Sequence, residues 1–149
     1  MLFSKKEQSS LESAVGTKNI WQQFDFTFSD TVVFLDDIRW VDGAVCFILS
    51  QTDDPKKIIV RFEYHPRSYR VTQESDYFNP FDTYDNADLL SFKDHKIFYT
   101  QDSAYLDRFY AVSEMSDKAT DLLYHIQIIT EDLIVDVISD QLPTVSIEA

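Results

Sequence analysis

From Trp21 onward the chain alternates apolar and polar residues with a period of two, and the alternation is broken at short polar turns. Phe24, Phe26 and Phe28 alternate with Asp25 and Thr27, the pattern of a half-buried strand. Val32 to Trp40 is a second extended stretch. Asp42-Gly43 then separates it from Ala44–Leu49, and Asp-Gly between apolar runs predicts a tight hairpin, because the favoured turn needs positive φ. The run AVCFIL is apolar on both faces, which predicts a central strand covered on both sides. In the next stretch Ile58, Val60, Phe62 and Tyr64 share one face, until His65-Pro66 breaks it. Tyr69 and Val71 mark one more strand. Residues 24–73 thus read as an antiparallel meander of four or five strands.

The segment 74–94 has no clean period, and a loop of that length usually binds or covers something. After a short strand at Lys96–Thr100, the period changes to that of a helix over 103–115. Tyr105, Phe109 and Val112 share a stripe with Leu106 and Tyr110, and Asp102 or Ser103 is the cap. Leu122–Ile129, Leu133–Ile138 and Thr144–Ile147 follow as strands, while residues 1–16 read as a short helix or a loose arm. The chain is therefore expected to be one α+β domain over 1–149. Its sheet should be a mainly antiparallel, mostly sequential meander, with one principal helix packed on one face.

Composition narrows what such a domain can do. The 149 residues carry 26 acids against 13 bases, a formal charge of -13. That surface disfavours nucleic acid and anionic membranes and favours a basic protein partner. The only glycines, Gly16 and Gly43, cannot spell a phosphate-cradling loop. The single Cys46 has no internal partner and sits in the most apolar strand with nothing basic adjacent. A reducing compartment and a cytoplasmic setting are expected, with no signal peptide and no apolar run able to span a bilayer.

Candidate chemistry is sparse. There is no GxSxG, HExxH or CxxC motif, and DTYDNAD lacks the EF-hand spacing. No catalytic residue, metal site or cofactor is assigned. His65, His95 and His125 read as unrelated surface or satisfied histidines, and Arg61, Arg67 and Arg70 as partners of neighbouring carboxylates. Many aspartates of 25–54 fall at turns, where Asp is common. The 74–94 segment is different, since it interleaves acids with aromatics on an irregular stretch. Asp76, Asp82, Asp85 and Asp88 are candidates to face Lys and Arg of a partner protein. Tyr77, Phe78, Phe81 and Tyr84 are the candidate apolar contacts.

Two stretches carry a family resemblance. FDFTFSDTVVFLDDIRWVDGAVCFIL leading to RSYRVTQES, and HIQIITEDLIVDVIS followed by Pro143, resemble a group of small stand-alone bacterial proteins. These are the immunity proteins of polymorphic-toxin and contact-dependent inhibition systems. In this chain Ile126, Glu131 and Leu142-Pro143 replace an aromatic, Asn and Glu-Pro of that group. The resemblance implies a non-enzymatic cytoplasmic protein that binds and neutralises one cognate toxin. It assigns no functional residue, because the shared positions are sheet and turn elements. Two other readings stay open: a ligand-binding or enzymatic domain with a pocket between sheet and helix, and a subunit that self-associates through exposed aromatics.

Overall fold

The structure is a computed structural model that describes residues 20–73, 84–113 and 123–148. The described chain is α+β and mainly antiparallel, with nine strands and one α-helix. The strands are β1 (Gln22–Gln23), β2 (Val33–Val41), β3 (Ala44–Gln51), β4 (Lys57–Phe62), β5 (Ser68–Gln73), β6 (Ile97–Thr100), β7 (Tyr124–Ile129), β8 (Leu133–Ser139) and β9 (Thr144–Glu148). Helix α1 spans Ala104–Val112. The arm at 1–16, the end of the expected helix at 114–115, and Leu122 lie outside the described residues.

The strands form two sheets rather than the single sequential meander that the pattern suggests. One has the order β2-β3-β4-β9, the other β1-β6-β7-β8-β5. Each holds a sequential three-strand meander extended from the other half of the chain, by β9 in the first sheet and by β1 and β5 in the second. The crossing after β4 is made at a corner where Tyr64 and His65 both take left-handed backbone, with φ of 58° and 52°. His65 N–H is tied to Gly43 O at 2.9 Å, and Pro66 follows. Tyr64 accordingly leaves the strand face assigned to it and stands 76% exposed. Arg67 N–H then donates to Ile138 O and starts β5 along β8.

The hairpin forms as its sequence requires, with Asp42 at φ 49° and Gly43 at φ 80°. A Cβ at Gly43 would meet the His65 ring at an ordinary contact distance of 3.4 Å, so it is the positive φ that calls for glycine. β2 contains a bulge at which Asp36 and Asp37 together oppose Ile48, so Leu35 and Ile38 both face inward. The Phe24–Phe28 alternation is an alternation of burial without a ladder. The segment is irregular and is held by Phe24 N–H to Ile97 O and Phe28 N–H to Asp94 O, both under 3 Å.

The inner faces of the two sheets close on one core, with Phe47, Leu49, Ile58, Val60 and Phe62 meeting Ile97, Ile126, Ile128, Val135 and Val137. Each such side chain contributes about 1.5–3 kcal/mol by leaving water. The outer face of the five-stranded sheet is covered twice. Leu106, Tyr105, Phe109 and Tyr110 of α1 pack on Leu123 and Ile138, whereas Val112, placed on the same stripe by the sequence, is 77% exposed. Tyr84, Leu90 and Phe92 pack on Trp21, Phe98 and Ile129. On the outer face of β3, Arg61, directly across from Cys46, lays its Nη1 3.9 Å from Sγ. The register thus supplies the basic neighbour that the local sequence around Cys46 lacks.

Candidate functional site

The described end of the acidic, aromatic segment forms a shelf against the edge of the five-stranded sheet. Tyr84 is buried and stacks on Trp21 with ring centroids 4.6 Å apart, and Phe92 bridges to Phe98 at 4.9 Å. Asn86 clamps the same point through two bonds. It accepts from Trp21 N–H at 2.8 Å and donates to Trp21 O at 2.7 Å, as a neighbouring strand would. Between these anchors Ala87–Leu89 makes one 3-10 turn. Its geometry turns Asp85, Asp88 and Leu89 outward, Leu89 being 77% exposed. Further along, Ser91 Oγ and then His95 Nδ1 hydrogen-bond Asp94 and hold its carboxyl below the usual range. Burial lowers the Lys96 ammonium, which donates to Phe92 O at 2.8 Å.

Of the residues that the sequence brings forward for partner contact, Asp85 and Asp88 are exposed on this shelf. Tyr84 is only 3% exposed, so its ring is used within the fold rather than offered at the surface. Asp76, Tyr77, Phe78, Phe81 and Asp82 lie outside the described residues.

The sequence reading missed a buried polar network on the face that α1 and the shelf cover. Asp136 is fully buried in β8; its Oδ1 accepts from His125 Nε2 at 2.6 Å and from Gln127 Nε2 at 2.9 Å. Its Oδ2 accepts from Arg70 Nε at 3.0 Å, across the β5–β8 ladder. On the far side of the imidazole, Ser103 Oγ lies 2.8 Å from Nδ1, and it accepts the Leu106 N–H as the N-cap of α1. Tyr84 donates its hydroxyl to Gln127 Oε1. The ionised carboxylate has no proton to give, so the chain of donors runs Leu106 to Ser103 to His125 to Asp136, which places the imidazole proton on Nε2. Burial depresses the His125 pKa against the opposing pull of Asp136, in keeping with a neutral ring. Trp21 packs edge-on at 4.7 Å, and its buried Nε1 has no hydrogen-bond partner among the described residues. Tyr105 lies 4.8 Å from the imidazole and carries the Arg70 guanidinium over its ring at 4.0 Å.

Hydroxyl, imidazole and carboxylate in this order have the connectivity of a nucleophilic relay. Here, however, Ser103 is 2% exposed and its oxygen is engaged by the helix it caps. The array holds α1 to the sheet and satisfies groups that would otherwise be costly to bury. A signal for it was present in the sequence, in that Asp136 is the one charge inside the apolar run LIVDVI, and His125 and Gln127 share a face two residues apart.

The outer face of the four-stranded sheet carries its charges in solvent. Arg39 pairs with Asp37 at 2.7 Å and Lys57 with Asp36 at 2.5 Å. Arg39 and backbone bonding lower the Asp37 pKa; Asp36 is lowered too, its burial being outweighed by Lys57 and Ser50. These pairs flank a shallow groove of about 350 Å³ over Ile48 and Ile59. Among the described residues no cluster of His, Cys, Asp or Glu is arranged to hold a metal ion, and no helix is long and apolar enough to cross a membrane. Compared with protein-family models, curated proteins and solved structures, the chain matches none significantly.

Proposed function

We propose that the protein is a binding domain of the immunity type, which neutralises a basic protein toxin by occluding it. The observation that supports this reading is the shelf, where Asp85, Asp88 and Leu89 point outward from a segment fixed from behind by Tyr84, Asn86 and Phe92. A surface fixed in advance loses little entropy on binding, and carboxylates around an apolar contact steer and orient a cationic partner. Asp76 and Asp82 would extend the acidic set, with Tyr77, Phe78 and Phe81 as apolar contacts. A partner-facing role for Tyr84 is not part of the proposal.

The test is to express the product of each neighbouring gene with and without this chain, and to read growth and complex formation. Growth arrest relieved by this chain, with a stoichiometric complex, is the expected result; arrest without relief overturns the reading. In the complex, exchanging Asp76, Asp82, Asp85 and Asp88 for Ser should slow association about tenfold at low salt and flatten its salt dependence. An unchanged rate and salt slope would remove the electrostatic part.

A further inference from the structure

The two sheets end in four edges, and three of them are closed to pairing. β1 is two residues long and continues into the bonded irregular segment at Phe24–Phe28. β2 carries the bulge with two outward acids, a device that twists and charges an edge. β5 presents Arg70 at its middle and enters from a left-handed corner and Pro66. β9 has no bulge, no charge at its middle and no left-handed entry, although Pro143 precedes it and Glu148 ends it. It runs regularly through Thr144–Glu148 beside β4, with no described strand on its far side. Its pleat is clean: Val145 and Ile147 share the inner face with Val60 and Ile58, while Thr144, Ser146 and Glu148 face out. Ile147 is nevertheless 56% exposed, whereas Ile58, directly across the ladder, is 1% exposed. Among the described residues, this aliphatic side chain on a core face is left open at an edge with room for one more strand.

We infer that β9 is a self-association edge, pairing antiparallel with β9 of a second copy about a two-fold axis at Ser146. The argument for a second copy is the strand's self-complementarity. In an antiparallel pair of identical strands, all five residues find partners only in the register centred on Ser146. That register sets Thr144 opposite Glu148 of the other copy, Val145 opposite Ile147, and Ser146 opposite Ser146. No like charges oppose each other. The inner pairs are β-branched aliphatics, and the hydroxyl pair lies outside; both are favourable cross-strand combinations. The two four-stranded sheets become one eight-stranded sheet, and the exposed Ile147 is covered by Val145 of the partner subunit. The contact is one short strand wide, well below the roughly 1,200 Å² of a stable interface. The dimer is therefore weak, and because each copy carries a formal charge of -13 it tightens with salt.

Sedimentation equilibrium of the intact chain across micromolar to millimolar concentration, at low and high salt, tests this. The expected result is a concentration-dependent rise toward twice the monomer mass, greater at high salt. Ile147→Lys should weaken it at least tenfold. Phe34→Lys on β2, a like change at an already guarded edge, should leave it unchanged. Both positions are surface-exposed, and a thermal melt of each variant verifies the fold. Hydrogen exchange supplies a local readout, since β9 amides should gain protection with concentration while α1 amides do not. A monomer at every concentration overturns the inference. So does a dimer indifferent to Ile147→Lys, because self-association would then run through another surface. The outcome is independent of toxin binding, which is measured with dilute protein.

Discussion

The two outer faces of the sandwich hold the same kinds of side chain under opposite conditions. On the five-stranded sheet, His125, Gln127 and Asp136 are buried beneath α1 and the shelf, with Asp136 inaccessible to water and Arg70 reaching it from the half-exposed sheet edge. On the four-stranded sheet, Arg39, Lys57, Asp36 and Asp37 are open to water. In solvent, water replaces a lost ion-pair partner at little cost. Beneath a roof nothing replaces it, and the remaining charge is stranded. A list of ion pairs would count the two faces alike, whereas burial makes one of them a structural keystone and the other a dispensable coat.

The sharpest way to break the comparison is Asp136→Ala. The change removes the acceptor from two buried donors at once, His125 Nε2 and Gln127 Nε2, and from Arg70 Nε, whose side chain is 44% exposed to water. Each buried donor left without an acceptor costs about 1–3 kcal/mol, so the two together cost about 2–6 kcal/mol. That is a large part of a typical domain's stability of about 5–15 kcal/mol. Urea denaturation should show a much lower midpoint, with α1 losing hydrogen-exchange protection first because its cap depends on the same network through Ser103. A midpoint within experimental error of wild type would mean that the face is not sealed.

Why the keystone escaped the sequence reading while much of the fold did not is a matter of range. The hairpin at Asp42-Gly43, the N-cap at Ser103 and the buried strand Ala44–Leu49 are set by neighbours in sequence, and all three form as expected. Assignment of β5 and β9 to opposite sheets is not local. For β5 it follows from a corner at Tyr64-His65, where two residues with no glycine's freedom take left-handed backbone. The Asp36-Asp37 bulge was legible in principle, because the inward residues Leu35 and Ile38 are three apart rather than two. For the site, an interleaving of acids and aromatics does not say which ring turns in. Tyr84 and Asp85 are adjacent, yet one is core and the other surface. The network itself joins residues 70, 84, 103, 125, 127 and 136, which only the register brings together.

Acidification sharpens the contrast at intermediate magnitude. His125 is faced by Asp136 and Ser103, with Arg70 beyond the carboxylate and the rings of Trp21 and Tyr105 at its sides. Its folded pKa lies below the ordinary 6.5, burial outweighing Asp136. The unfolded chain therefore takes up its proton first as pH falls. The stability contributed by a neutral His125 is complete above pH 6.5 and is lost below it, by at most about 1.4 kcal/mol per pH unit. Between pH 7.5 and 5.5 wild type should lose up to about 1.4 kcal/mol more than His125→Gln, measured from urea midpoints. Parallel losses in the two proteins would place the proton elsewhere.

The smallest effect is the most discriminating, because it concerns a pair that looks strong by distance alone. Lys57 Nζ lies 2.5 Å from Asp36 Oδ2, closer than Arg70 Nε to Asp136 Oδ2 at 3.0 Å. Ranked by length, the surface pair would matter more. Burial of the carboxylate reverses the ranking: the two cations are alike, Lys57 at 47% and Arg70 at 44% exposed, but Asp136 is fully buried whereas Asp36 is 32% exposed and shares its attraction with water and salt. Asp36 also accepts from Ser50 Oγ at 2.8 Å, so its carboxylate keeps a partner when the lysine is removed. A double-mutant cycle of Asp36→Ala and Lys57→Ala should return a coupling of about 0.3 kcal/mol, fading in 1 M salt. A coupling above about 1 kcal/mol that persists in salt would mean that the open face of the sandwich is shielded in solution. That is the result expected if a further layer, from another copy or a partner, covers it.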